Sequence, residues 1–229
     1  MKVEEKPGTE PPIGRRSFRP HIPEIEKAAE LLSNAAMAHL RGDGGLAESL
    51  IKAADMPALR DWLESIWGKA SPHVHFRTVD GAPVTVERGD RTANRMPDAK
   101  VKRLLIERDG HHCRLCGTPV IRREVRRYLN KAYPQGLPWG KRNIDQHAAF
   151  QVMWLQYDHL LPHARGGTNE LENMLVACAA CNFGRMNFTL EEVGFASPEA
   201  PTAIPSSWDG LERLLPHAEQ IQGVPCPWL

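Results

Sequence analysis

Four of the five cysteines fall into two tight pairs, Cys113/Cys116 and Cys178/Cys181, each with two residues between its members. Two thiolate pairs at that spacing suit tetrahedral zinc, because a backbone turn within each pair presents both sulfurs to one ion. Four sulfurs leave no open coordination position, so such a zinc serves folding and not chemistry. Asp158 and His159 are a different kind of pair. The carboxylate is a hard oxygen ligand of the type magnesium and manganese take, and the imidazole exchanges a proton near neutral pH. An activated water and a divalent cation are what phosphodiester hydrolysis requires. Neighbours on an ideal strand point to opposite faces, so both side chains reach one site only where the strand bends or ends.

Charge is nearly balanced, with 29 Lys and Arg against 28 Asp and Glu, so a nucleic-acid partner is not indicated by the total. Its distribution is uneven. Between Lys100 and Arg142 the chain is strongly basic and includes Arg122, Arg123, Arg126 and Arg127, whereas beyond Arg185 it turns acidic. A basic middle gives the local positive field that phosphate binding needs, although a solvated basic helix face reads the same way. No apolar run approaches the roughly 18 residues that span a bilayer. The N-terminal MKVEEKPGTEPPIG lacks the apolar stretch of a secretory signal. The expectation is a cytoplasmic protein without a membrane partner, whose paired cysteines are metal ligands and not disulfides. Cys226, in a Pro-Cys-Pro tail, has no evident partner.

The elements that must hold these residues follow from periodicity. Residues 1–20, rich in Pro, Gly and charge, read as a flexible lead-in. Residues 21–95 read as mostly helical, with Ile25, Ala28, Ala29, Leu32, Ala36 and Leu40 on one helical stripe, a second short helix LAESLIKAAD, and a third with Leu59, Leu63, Ile66 and Trp67 along a face. VHFRTV and PVTVERG alternate around Asp80-Gly81 and predict a β-hairpin. A helix with Val101, Leu104 and Leu105 on its apolar side then leads to the first cysteine pair. The long stretch 117–157 contains a basic helix, VIRREVRRYLNKAY. The apolar run QHAAFQVMWLQY after it fits a buried strand or a helix, and period alone does not decide. Residues 196–229 read as a Pro-rich tail with one short helix.

The block from Tyr157 to Thr189, with CRLC upstream, resembles the HNH endonuclease family in its subgroup with an added four-cysteine zinc site. The motif parts appear in order: Cys113 and Cys116, Asp158-His159 with Pro162, Gly166-Gly167, Asn173, then Cys178, Cys181, Asn182 and Arg185. The likeness covers about one-third of the chain. It implies an α+β fold, with a ββα-metal HNH nuclease core over 96–195 carrying 117–157 as a basic insertion. A zinc ribbon-like site and a small, mostly helical N-terminal region complete that expectation. It implies DNA as substrate, His159 as general base, and Mg2+ or Mn2+ on Asp158 and Asn182 beside a structural Zn2+. Asn173 would brace the loop and orient the base histidine, and Arg185 would contact phosphate. The third letter of the family's motif is here an asparagine, Asn182, and an amide ligand favours magnesium-like ions over zinc there.

Arg122, Arg123, Arg126 and Arg127 of the insertion are candidates for gripping DNA; docking a partner protein or covering an apolar edge fits equally. His163 reads as a surface histidine near the site, His147 as a packing residue, and His111 and His112 as unneeded for zinc. The N-terminal region is open to dimerisation, a protein partner or DNA. Two other readings stand beside the DNA endonuclease with a restriction or anti-phage defence role: a non-catalytic zinc-dependent binding module, and an RNA-cleaving toxin. Only a nuclease needs the full set of Asp158, His159 and Asn182.

Overall fold

A computed structural model describes residues 13–67, 71–198 and 206–215. Helix α1, Pro23–Leu40, starts at a proline, whose missing N–H costs nothing in a first turn. It buries a stripe of Ile25, Ala28, Ala29, Leu32, Ala35 and Ala36. These small residues let α2, Gly44–Ala54, lie close, with Ala47, Ile51 and Ala54 turned inward. The Asp43 carboxylate accepts from Leu46 N at 3.0 Å and caps α2. Helix α3, Pro57–Glu64, buries Leu59, Trp62 and Leu63.

The expected hairpin over 74–89 does not form. Its turn is present at Asp80-Gly81, but the two arms are not paired with each other. Arg77 N donates to Glu192 O at 2.9 Å and Val86 N to Ala164 O at 2.9 Å, so each arm satisfies its backbone against a later loop. The flexible lead-in is also corrected for its described part. Phe18 is buried, and Arg15 N donates to Gly194 O while Ala196 N donates back to Arg15 O. Residues 1–12 of that expectation, and Cys226, lie outside the described residues.

Helix α4, Ala99–Asp109, delivers a fully buried carboxylate at its end. Asp109 accepts from Val176 N at 2.9 Å and from Arg108 at 2.8 and 2.9 Å, and so caps the outer edge of the small sheet. Helix α5, Arg123–Ala132, buries Val125 and Leu129, and α6, Ala148–Val152, is wholly buried. The undecided apolar run is thus both things, a short helix and then strand β1, Leu155–His159. Strand β2, Met174–Cys178, pairs with it antiparallel, Leu155 opposite Cys178 and His159 opposite Met174. Helix α7, Ala179–Arg185, follows at once. The sheet has two strands among the described residues, so the fold is mixed, mainly helical, with a small hairpin. In the tail a 3-10 turn at Glu212–Leu214 is what the described residues contain. Among the described residues no helix is long and apolar enough to cross a membrane.

Buried residues from α1 to α3, the 117–157 stretch, the hairpin and Leu214 and Leu215 form one cluster. Polar ties cross it. His39 of α1 sits between the hydroxyls of Tyr133 and Tyr128, 2.6 and 2.9 Å away, and His147 Nε2 meets Ile51 O at 2.9 Å. His147 is the packing residue the sequence indicated. Arg122 and Glu212 are both buried and joined by two 2.6 Å hydrogen bonds. Burial opposes the charge of Glu212, yet Arg122 and then His111 overcome it and hold its carboxyl below the ordinary value. Stability from this pair is therefore complete above the ordinary carboxylate range and is lost as pH falls through the lowered folded value. Glu212→Gln should cost about 2 kcal/mol in denaturant unfolding at neutral pH, because it removes the near carboxylate of a buried guanidinium and leaves it Glu124 at 3.5 Å. The penalty should shrink in acid. A loss under 0.5 kcal/mol at neutral pH would contradict the role given to the pair.

Candidate active site

The cysteine pairs meet. Cys113, Cys116, Cys178 and Cys181 place their sulfurs within 4.8 Å of one another, and Cys116 Sγ is 3.6 Å from Cys178 Sγ. Zinc–sulfur bonds of about 2.3 Å in a tetrahedron put sulfurs roughly 3.8 Å apart, so the donor set fits zinc. The first pair lies in a knuckle closed by Gly117 N on Cys113 O and Cys113 N on Thr118 O, both 2.8 Å. The second pair straddles the β2–α7 junction, where the Cys178 sulfur caps the helix. His111 and His112 are buried beside the knuckle and are not part of the sulfur cluster.

Asp158 and His159 close β1, and His159 is its last residue. The end of the strand is what lets neighbours share one site. Both are buried, and both line a cavity of about 230 Å³ together with Asn182, Pro162, His163, Asn187, Met186, Arg91 and Arg95. The loop between the strands is shaped by Gly166, at φ +88°, and Gly167, where a Cβ would stand 1.8 Å from Leu161 O. Asn173 braces that loop. Its Oδ1 accepts from Leu161 N at 2.8 Å, and its Nδ2 donates to Thr168 O and Leu161 O at 2.8 and 3.2 Å. No hydrogen bond joins its side chain to His159 among the described residues, so any effect on that ring passes through the backbone.

The residue that touches the ring is Asn169, which the sequence reading missed. Its Nδ2 donates to Asn94 O at 2.6 Å, and this turns its Oδ1 to His159 Nε2, 2.9 Å away. A carbonyl oxygen only accepts, so Nε2 carries the proton of the neutral ring and Nδ1 keeps a lone pair. Burial pushes the His159 pKa below its ordinary value; Asn169 and Asp158 oppose that without reversing it. The imidazole is thus neutral and able to take a proton.

Arg185 has a different position from the one expected of a phosphate contact. It is 1% exposed. Its guanidinium pairs with Asp158 Oδ2 at 2.6 Å and donates to the carbonyls of His159 at 2.5 Å and Phe188 at 2.9 Å. It holds the site from beneath. Asn182, one turn earlier, is half-buried on the cavity and donates to Gln156 Oε1 at 3.3 Å, which leaves its Oδ1 for a cation. One carboxylate and one amide oxygen, with room for water, make a hard donor set that fits magnesium or manganese.

Two of the four insertion arginines are also corrected. Arg122 is spent on Glu212, and Arg126 is buried with its guanidinium 3.6 Å above the Trp139 ring and 5.7 Å from that of Trp154. Burial lowers the pKa of Arg126 to about 10. Amphipathic spacing turned these two inward, whereas Arg123 and Arg127 are exposed on α5. His163 is no simple surface residue: it lines the cavity and its Nε2 donates to Thr92 O at 2.9 Å. Arg91 and Arg95 were missed as well, since nothing in their spacing marks them.

Part of this geometry lies in a segment that matches a known family. Residues 143–186 match the family model described as HNH endonuclease. The matched HNH segment includes Asp158, His159, Asn173, Asn182 and the second cysteine pair; the first pair and the arginines at 91 and 95 lie upstream of it. Nuclease activity in the broad sense, on a nucleic-acid substrate, is what the match supports. No curated protein and no solved structure matches the chain significantly.

Replacing Cys178 with Ser should remove bound zinc, measured by metal analysis of the purified protein, and lower stability by on the order of 4 kcal/mol. Unchanged zinc content would show that the sulfurs are not its ligands.

Proposed function

We propose that this chain is a divalent-cation-dependent endonuclease that hydrolyses DNA phosphodiester bonds, with the β1–β2–α7 hairpin and helix as a ββα-metal core. The observation that carries the reading is the common cavity of Asp158, His159 and Asn182, with the lone pair of His159 left at Nδ1. A zinc-dependent binding module would have no use for a neutral, oriented imidazole beside hard oxygen donors.

His159 Nδ1 takes a proton from the attacking water. The water oxygen forms the new bond to phosphorus as the bond to the 3′-oxygen breaks, and that oxygen takes a proton from solvent. Asn169 fixes the tautomer and the plane of the ring, while Arg185 anchors the His159 carbonyl and one oxygen of Asp158. Asp158 and Asn182 would hold the cation, magnesium or manganese, which supplies charge neutralisation at the phosphate and the departing oxygen. The four cysteines would hold a zinc that contributes position alone.

The test is cleavage of supercoiled plasmid by the purified protein with and without Mg2+ or Mn2+. His159→Ala should lower the rate by about a hundredfold to ten-thousandfold, with zinc content and folding unchanged. Cleavage at the wild-type rate by the variant would remove the base from this account. A well-folded, zinc-loaded wild type that cuts neither plasmid nor RNA would return the chain to the class of binding modules. One that cuts RNA alone would move the substrate.

A further inference from the structure

We infer that Arg91 and Arg95 form a cationic clamp for the DNA phosphates lying in the cavity, a role that depends on the nuclease reading for its purpose. Neither residue belongs to the segment that matches the HNH family. Both nevertheless line the same cavity as Asp158, His159 and Asn182.

The chain holds Arg91 there within a strap and sets Arg95 directly after it. Residues 83–94 are tied to the loop 163–169 at four points: Arg165 on Pro83 O at 3.0 Å, Val86 N on Ala164 O at 2.9 Å, His163 on Thr92 O at 2.9 Å, and Asn169 on Asn94 O at 2.6 Å. Within the strap, Arg91 Nε donates to Val86 O at 2.8 Å. That bond fixes the guanidinium by one edge and leaves its two Nη groups as donors. Asn94 lies between the two arginines in sequence and fixes the partner of the His159 ring. The strap therefore delivers the charges and orients the base by one set of contacts.

Ion pairing separates these two from the neighbouring arginines. Arg185 is neutralised by Asp158 and Arg165 by Glu192, at 2.6 and 2.8 Å. Among the described residues neither Arg91 nor Arg95 has an ion-pair partner. Because Arg185 already balances Asp158, the cavity keeps two uncompensated positive charges, and a divalent ion on Asp158 and Asn182 would add to them. Such a site calls for an anion of more than one charge. Successive phosphodiesters supply it, and the planar guanidinium matches phosphate oxygens in a two-point contact that lysine does not make.

The experiment uses the full chain. Binding to a labelled DNA duplex of about 30 base pairs is measured in the His159→Ala background, so cleavage does not interfere, over a range of salt. Arg95 is solvent-exposed, so Arg95→Ala is the primary variant; Arg91→Gln is the second, because it keeps an amide donor for Val86 O. Each change should weaken binding at least tenfold at moderate salt and reduce the slope of log affinity against log salt by about 0.9. In the otherwise wild-type chain each should lower plasmid cleavage at least as much, with Arg95→Lys recovering part of it. Affinity and salt slope unchanged in both variants would overturn the clamp, whether or not the wild type cleaves. Failure of cleavage alone, with the slopes changed as expected, would instead count against the nuclease reading. The same slope changes with duplex RNA but not DNA would overturn the assignment to DNA.

Discussion

Four sulfurs held within 4.8 Å impose the constraint on which the rest of the molecule depends. They fasten the knuckle after α4 to the junction of β2 and α7, and everything between must close as a loop around that point. The loop holds α5, α6 and β1, so its residues are packed by necessity and not by local preference alone. Helix α7 is fixed twice. Cys178 and Cys181 hold its start, and the buried pair of Arg185 with Asp158 holds its end. Asn182 lies between the two anchors, which is why a helix of seven residues can present an amide to the same cavity as a strand.

The electrostatics of the site follow from the same economy. A guanidinium buried to 1% exposure costs too much to leave unpaired, and Asp158 with the carbonyls of His159 and Phe188 satisfies it. The Asp158–Arg185 pair holds the backbone around His159 and carries little net charge. A positive field in the cavity has to come from elsewhere, and the strap through Arg91 and Arg95 provides it in the account proposed here. By contrast, half of the basic cluster around the start of α5 is taken up by Glu212 and by tryptophan rings.

The sequence made the chemistry-bearing residues legible because their constraints are local. Two-residue spacing within the cysteine pairs, adjacency of Asp158 and His159, and the glycines before Asn173 each restrict a few residues of backbone; the structure gathers the four sulfurs, ends β1 at His159 and turns the chain at Gly166. Helices α1 to α5 were legible from period for the same reason. What failed was decided by tertiary partners. Alternation around Asp80-Gly81 looks like a hairpin, yet both arms find better acceptors at Glu192 and Ala164. Basic residues at helical spacing look like a surface, yet Arg122 and Arg126 face inward because aromatic and acidic partners from distant segments wait there. Asn169, Arg91 and Arg95 gave no signal, since their roles exist once the strap and the loop meet.

The central claim is that two ions occupy two chemically distinct sites, sulfur for one and oxygen for the other. Manganese titration of the zinc-loaded protein, followed by electron paramagnetic resonance with zinc counted in parallel, tests it most directly. The account predicts one bound Mn2+ per chain that weakens in Asn182→Ala while zinc stays at one per chain. Manganese binding indifferent to that substitution, or gained only as zinc is lost, would contradict it.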